Sequence, residues 1–287
     1  VSSWSRSRSS VRDAAMTRSF PRLRSRAERL GFRALYRLAD RTYAFGVATP
    51  KRTVAGTYWS YEPTNPHGND AGLAALDRLP ADAVIVDVGA HVGEHAVPLA
   101  RGTDRRVVAF EPNGESADRL ARNVDRNGLG DRIDRRRAGL GDANETLTFY
   151  RSTFSKCSAF DRDLATRWGA SVAGTERVPI RRLDDLVEGV DGAAAGAAER
   201  PRDVDPVSPP DAIKVDVEGH EAAVLRGAAA TLAAHRPLLV VEVHGAERSA
   251  GAEAAAAEPV ALREWLEARD YAVEEAEDVW ICRPGGE

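Results

Sequence analysis

Two stretches of the chain set charged groups where the ends of apolar strands would hold them, and each suggests a chemistry. In the first, Ala83-Val84-Ile85-Val86-Asp87-Val88-Gly89-Ala90-His91-Val92-Gly93, a β-branched run ends on an aspartate and a glycine loop follows at once. Such a run reads as a buried strand of a parallel sheet. Gly89 and Gly93 let a ligand approach the backbone and open a helix over Glu94 to Arg101. Glu111 closes the next apolar run, 22 residues after Gly89, a place and distance that suit bidentate hydrogen bonding to ribose hydroxyls. A pyrophosphate wants a G-x-G-x-x-G turn at a helix N-terminus; here the glycines run G-x-x-x-G and Glu94 would repel it. A cofactor with a ribose and no phosphate fits, which makes S-adenosylmethionine the first candidate. A nicotinamide dinucleotide, and with it an oxidoreductase, is the alternative.

The second stretch is Ile213-Lys214-Val215-Asp216-Val217-Glu218-Gly219-His220-Glu221. Side chains alternate along a strand, so Lys214, Asp216 and Glu218 are expected on one face. Three charges on an otherwise apolar strand are costly in a core. They are tolerable at the strand's carboxyl end, in a cleft where they pair and meet a ligand; a purely structural Lys–carboxylate cluster is the competing reading. Glu242 and His244 sit at the matching end of the following apolar run.

The elements that must position these groups follow from periodicity. Strands are expected over Arg105–Phe110, Asp131–Leu140, Ala212–Val217 and Leu238–Val243, with helices over Ser116–Asn127 and Val260–Arg269. Glu145–Tyr150 and Arg177–Arg181 suggest an antiparallel excursion, and Tyr271–Glu275 with Asp278–Arg283 a closing hairpin. Upstream, Arg29 to Tyr43 has helical spacing, Thr57 to Asn69 is aromatic and then rich in turn residues, and Asn69 or Asp70 caps a short helix through Leu79. Alternating strands and helices of this kind describe a doubly wound α/β sheet, mostly parallel, with a closing antiparallel hairpin.

Composition sets the limits. The chain has 287 residues, 43% of them hydrophobic, with no apolar run long enough for a membrane helix. Its N-terminal stretch lacks the apolar centre of a secretory signal, and Cys157 and Cys282 lie far apart, so free thiols and a cytoplasmic setting are expected. The first 41 residues hold eleven arginines against three acids, a charge of +8; with −4 overall, the remainder carries −12. An acidic body argues against extended nucleic-acid binding. The arm reads as solvated and disordered, with contact to nucleic acid or anionic lipid as the sharper alternative. The expected organisation is a basic arm over 1–28, a helical and aromatic cap over 29–80, and the α/β domain over 81–287 with an insertion at 188–210.

The ordered set Asp87-x-Gly89-Ala90-x-x-Gly93, Phe110-Glu111-Pro112-Asn113, Leu183-Asp184-Asp185-Leu186, Ile213-Lys214-x-Asp216-x-Glu218-Gly219-x-Glu221-x-x-Val224-Leu225-x-Gly227 and Pro237-x-x-x-x-x-x-Val243-His244 resembles the FkbM methyltransferases. The resemblance implies a class I, Rossmann-like methyltransferase fold and an enzyme that uses S-adenosylmethionine, usually to methylate a hydroxyl of a sugar, glycolipid or secondary metabolite. It carries Asp87, Gly89, Ala90, Gly93 and Glu111 over as cofactor contacts, with Asp142 as an adenine neighbour. His91 and His95 depart from it, standing where the family often has Asn and a hydroxyl residue. The expected partner is a small-molecule or glycan acceptor and not a nucleic acid, although a nucleic-acid-associated methyltransferase using the arginine arm is a rival. Methyl transfer rests largely on positioning. A general base at the second stretch would serve a hydroxyl acceptor: Asp216 first, His220 second for its near-neutral pKa, with Lys214 holding Asp216 ionised and Glu218 beside them. No recognised ligand spacing supports a metal; were a divalent cation used, Asp216, Glu218 and Glu242 or His244 would supply its oxygen-rich ligands.

Overall fold

A computed structural model describes residues 26–189, 205–243, 252–276 and 279–286. The basic arm, most of the 188–210 insertion, His244 and Asp278 therefore fall wholly or largely outside the described residues. The chain opens on helix α1 (Arg26–Phe45), the hairpin β1 (Thr49–Thr53) and β2 (Gly56–Ser60), and helix α2 (Ala71–Leu76). Asp70 caps α2, its Oδ1 accepting the Leu73 N–H at 2.6 Å. The α/β body runs β3 (Val84–Val88), α3 (Ala96–Ala100), β4 (Arg106–Phe110), α4 (Gly114–Asn127), β5 (Ile133–Arg136), β6 (Gly139–Leu140), β7 (Glu145–Ser152), α5 (Arg162–Ala165) and β8 (Val172–Arg181). It continues with β9 (Ala212–Val215), α6 (Glu221–Arg226), α7 (Ala229–His235), β10 (Leu238–Glu242), α8 (Ala252–Glu267), β11 (Tyr271–Ala276) and β12 (Val279–Pro284).

Seven strands form the main sheet in the order β11-β12-β10-β9-β3-β4-β5. The run from β10 to β5 is parallel, and β12 joins β10 antiparallel to close the hairpin with β11. From β3 the chain winds outward through β4 and β5, then returns to the other side of β3 as β9. That reversal opens a crevice at the carboxyl ends of β3 and β9, where open α/β sheets take their ligands.

Alternate strand residues feed two apolar layers. Val86, Val88, Phe110, Ile213 and Val215 face one, while Ile85, Val107, Ala109, Ala212 and Val240 face the other. Both faces being covered by helices explains why these strands read as continuous apolar runs.

Several boundaries differ from the expectations, each for a local reason. The segment expected as one strand over Asp131–Leu140 divides: β5 ends at Arg136, and β6 joins β7 and β8 in a separate three-stranded sheet of order β6-β8-β7. Its charged run from Asp134 to Arg137 has no apolar alternation to carry it further through a buried layer. Helix α3 starts at Ala96 because His91 to Glu94 are spent on the turn. Helix α8 begins at Ala252, ahead of the expected Val260, and contains Pro259.

The Leu183-Asp184-Asp185-Leu186 motif has a structural purpose. Asp184 is 1% exposed and accepts from Thr231 N at 2.8 Å, Thr231 Oγ1 at 2.9 Å and Ala230 N at 3.1 Å, satisfying the start of α7. Asp184→Ala strands those donors and should cost about 2–4 kcal/mol of stability. Urea denaturation measures this; an unchanged midpoint would show that the contacts contribute nothing.

Candidate functional site

The carboxyl ends of β3, β4, β9 and β10, together with α1 and the loops before α2 and after β7, enclose a cavity of about 1580 Å³. Ligand pockets usually measure about 300–1,000 Å³, so this one has room for a cofactor and an acceptor together.

Its floor is the loop after β3. Gly89 has φ +79°, and a Cβ there would lie 1.9 Å from the Asp216 carbonyl oxygen, so only glycine lets the β3 and β9 loops touch. The N–H groups of Gly89 and Ala90 both donate to Phe110 O, at 2.9 and 3.0 Å. Glu111 ties the loop to β4: its Oε2 accepts the His91 N–H and its Oε1 the Asn113 N–H, each at 2.7 Å. A carboxylate offers about four lone-pair sites, so Glu111 keeps acceptor capacity on both oxygens where it lines the cavity. Burial pushes its pKa up, and His91, the two backbone donors and Lys214 only partly pull it back.

Asp87 and Gly93 support this loop from behind and do not line the cavity. Gly93, at φ +90°, leaves room for Val97 and for Leu120 of α4. Asp87 stands beside Lys214 in the β3–β9 register, with Lys214 Nζ 3.1 Å from Asp87 Oδ1. The same ammonium donates to Gly89 O at 2.9 Å and lies 3.5 Å from Asp216 Oδ2. Burial pulls the Lys214 pKa down, but Asp87 and Asp216 outweigh it and hold it above the ordinary lysine value. One buried cation thus joins the glycine loop, the strand core and the cavity wall.

Lys214, Asp216, Glu218 and His220 all line the cavity, as does Glu242. The shared face expected for Lys214, Asp216 and Glu218 is not how they meet, because β9 ends at Val215. Glu218 takes a left-handed φ of 55° and pairs with Arg167, which stacks on Trp168. His220 packs on Phe160 with ring centroids 5.2 Å apart. Asp142 is exposed, 3.8 Å from Arg226, and is not among the lining residues; Gly227 packs directly against the preceding Gly141.

A second polar cluster on the cavity wall was not foreseen from the sequence. Lys156 Nζ donates to Glu94 Oε2 at 2.6 Å and lies 3.0 Å from His67 Nε2. On its other side the ring meets Asp70, His67 Nδ1 lying 3.2 Å from Asp70 Oδ2. Burial and Lys156 pull the His67 pKa down, but Asp70, Glu94 and Asp216 outweigh them and hold it above the ordinary histidine value. His95 Nε2 meets the same Asp70 oxygen at 3.2 Å, and His91 Nε2 reaches Ser155 Oγ at 2.9 Å. Burial raises the Glu94 carboxyl, yet Lys156 and the histidines hold it well below its ordinary value. Among the described residues, His67, Asp70 and His95 also bring three potential ligand atoms within 4.8 Å of one another. The available signal was the histidines themselves: among the described residues, His67, His91, His95 and His220 line this cavity.

Asp70 gives this cluster a pH signature. Burial raises its pKa, but His67, His95 and the Leu73 N–H lower it well below the ordinary aspartate range. A lowered carboxyl contributes stability above its unfolded pKa of about 3.9 and loses it as the pH falls through the folded value. Asp70→Asn keeps the helix cap and removes the charge. The stability gap between wild type and this variant should be about 1–3 kcal/mol at neutral pH and shrink as the pH is taken from about 4 towards 2. A gap independent of pH would contradict the assignment.

Comparison with known proteins places the chain in a family. The model of the methyltransferase FkbM domain matches residues 87–273. The hexuronic acid methyltransferase AglP of Haloferax volcanii is 30% identical over 169 residues, 59% of each chain. The AMB antimetabolite synthetase AmbE of Pseudomonas aeruginosa is 33% identical over 231 residues, 72% of this chain and 11% of that protein. The chain thus spans 59% and 11% of the lengths of these relatives. The crystal structure of methyltransferase FkbM from Methylobacillus flagellatus aligns with TM-score 0.44 at 20% identity, over 72% of this chain and 44% of that one. The match spans well over half the chain, from the strand that carries Asp87 to the closing hairpin: the protein belongs to the FkbM methyltransferase family.

Proposed function

We propose that the protein is an S-adenosylmethionine-dependent O-methyltransferase acting on a hydroxyl of a sugar, glycolipid or secondary metabolite. The observation that carries this reading is Glu111, a buried carboxylate pinned by two backbone N–H groups at the end of β4 and facing the cavity with acceptor capacity to spare. Glu111 would hold the ribose hydroxyls, while the Gly89-Ala90 backbone allows close approach without side-chain interference. When bound, the cofactor supplies an electrophilic methyl group on sulfur. Asp216 then accepts the proton released by the acceptor hydroxyl, and Lys214 keeps Asp216 ionised until that moment. The name of the Haloferax volcanii relative, a hexuronic acid methyltransferase, favours a sugar among these acceptor classes.

Methyl transfer from labelled cofactor to a panel of uronate-bearing glycans, measured with wild type and Asp216→Asn, tests the assignment. Turnover by the variant should fall about 10²–10⁴-fold while cofactor affinity stays within a few-fold. Undiminished turnover would remove Asp216 from the reaction.

A further inference from the structure

Helix α1 has two faces with different surroundings. Towards the body it presents Phe32, Leu35, Tyr36 and Ala39, which wall the cavity. At about 100° per residue, the opposite arc carries Leu30, Ala34, Leu38 and Phe45 in one stripe, with Arg33, Arg37 and Arg41 alongside. All seven are exposed. Of the six large apolar side chains that stand exposed among the described residues, four belong to α1 and its exit: Leu30, Leu38, Phe45 and Val47. Scattered exposed leucines need no explanation, but a contiguous stripe does. Among the described residues, Arg33, Arg37 and Arg41 make no ion pair.

The chemistry of this face narrows what can cover it. A second copy of the same face would set arginine against arginine. Residues 1–25 carry six further arginines and one acid, so laying them over α1 would pile up like charge. Nucleic acid would match the arginines and leave the aliphatic stripe in water. An anionic lipid surface satisfies both rows: apolar side chains enter the acyl boundary and guanidinium groups meet phosphates. The charge of −12 beyond residue 41 acts in the same sense, turning the acidic body away from such a surface.

We propose that α1, whose inner face walls the cavity, docks the protein on an anionic membrane surface through its outer face. Docking itself is independent of the reaction; its consequence, an acceptor that is lipid-linked or membrane-borne, rests on the methyltransferase reading above.

Flotation of the full chain with phosphatidylglycerol–phosphatidylcholine vesicles, and with phosphatidylcholine alone, tests the docking. Wild type should float with the anionic vesicles only, and less as salt is raised. Arg33→Glu/Arg37→Glu/Arg41→Glu and, separately, Leu30→Ser/Leu38→Ser/Phe45→Ser should each lower the partition coefficient by about tenfold or more, with S-adenosylmethionine affinity and melting temperature unchanged. Should a triple variant melt early, the single changes Arg37→Glu and Leu38→Ser replace it, and each should weaken binding several-fold. Failure of wild type to float would overturn the proposal. So would full binding by the apolar variants, which would mean that charge alone holds the protein, or a dimer that those variants dissociate. Loss of cofactor binding by wild type would sink the reaction reading and leave the docking result standing.

Discussion

Replacing Glu111 with alanine should weaken S-adenosylmethionine binding about 100-fold or more in a calorimetric titration. A hydrogen bond to a charged group contributes about 1.5–3 kcal/mol, and a ribose diol on Glu111 would make two. The alanine variant also strips the His91 and Asn113 N–H groups of their acceptor, loosening the junction between the β3 and β4 loops. Glu111→Gln separates the two effects. Its amide preserves the shape, but its NH2 group cannot accept from a backbone N–H, so its affinity should fall between wild type and alanine. Full affinity in Glu111→Ala would end the ribose assignment.

Lys214→Met should be the most destabilising single change near the site, costing about 3–5 kcal/mol, because it leaves Asp87 charged and unpaired in the core. Asp87 is 1% exposed and Lys214 5%, so water cannot replace either partner. A raised lysine pKa contributes stability that is fully present below the ordinary lysine range and fades only as the pH climbs through the folded value. The loss in Lys214→Met should therefore be the same across neutral pH. Adding Asp87→Val should recover most of it, because the pair as a unit contributes far less than the breakage of one partner costs. Urea midpoints for the four proteins measure the coupling. Simple additivity of the two changes would show that the ion pair is not a unit.

This pair also shows where sequence reasoning stops. The apolar runs that end on Asp87, Glu111, Asp216 and Glu242 made the strands and their carboxyl edge legible, because a parallel sheet covered on both faces leaves that pattern. Which strands adjoin was not in the pattern. The contact between Asp87 and Lys214 needs β9 to return beside β3, a tertiary event across more than a hundred residues. Alternation does not carry through to Glu218, because β9 ends at Val215 and the backbone is left-handed at Glu218 itself. The His67–Asp70–His95 cluster draws on two distant loops, and Lys156 joins it from a third. None of these has a spacing to read. Glu94, whose charge speaks against a phosphate, is also a buried partner of Lys156.

The measurement that bears most directly on the account is a crystal structure of the protein with S-adenosylhomocysteine. Both ribose hydroxyls should lie within hydrogen-bond distance of the Glu111 carboxylate, with the sulfur turned towards the cavity wall that carries Asp216. A ribose held elsewhere, or a sulfur turned away from Asp216, would contradict it.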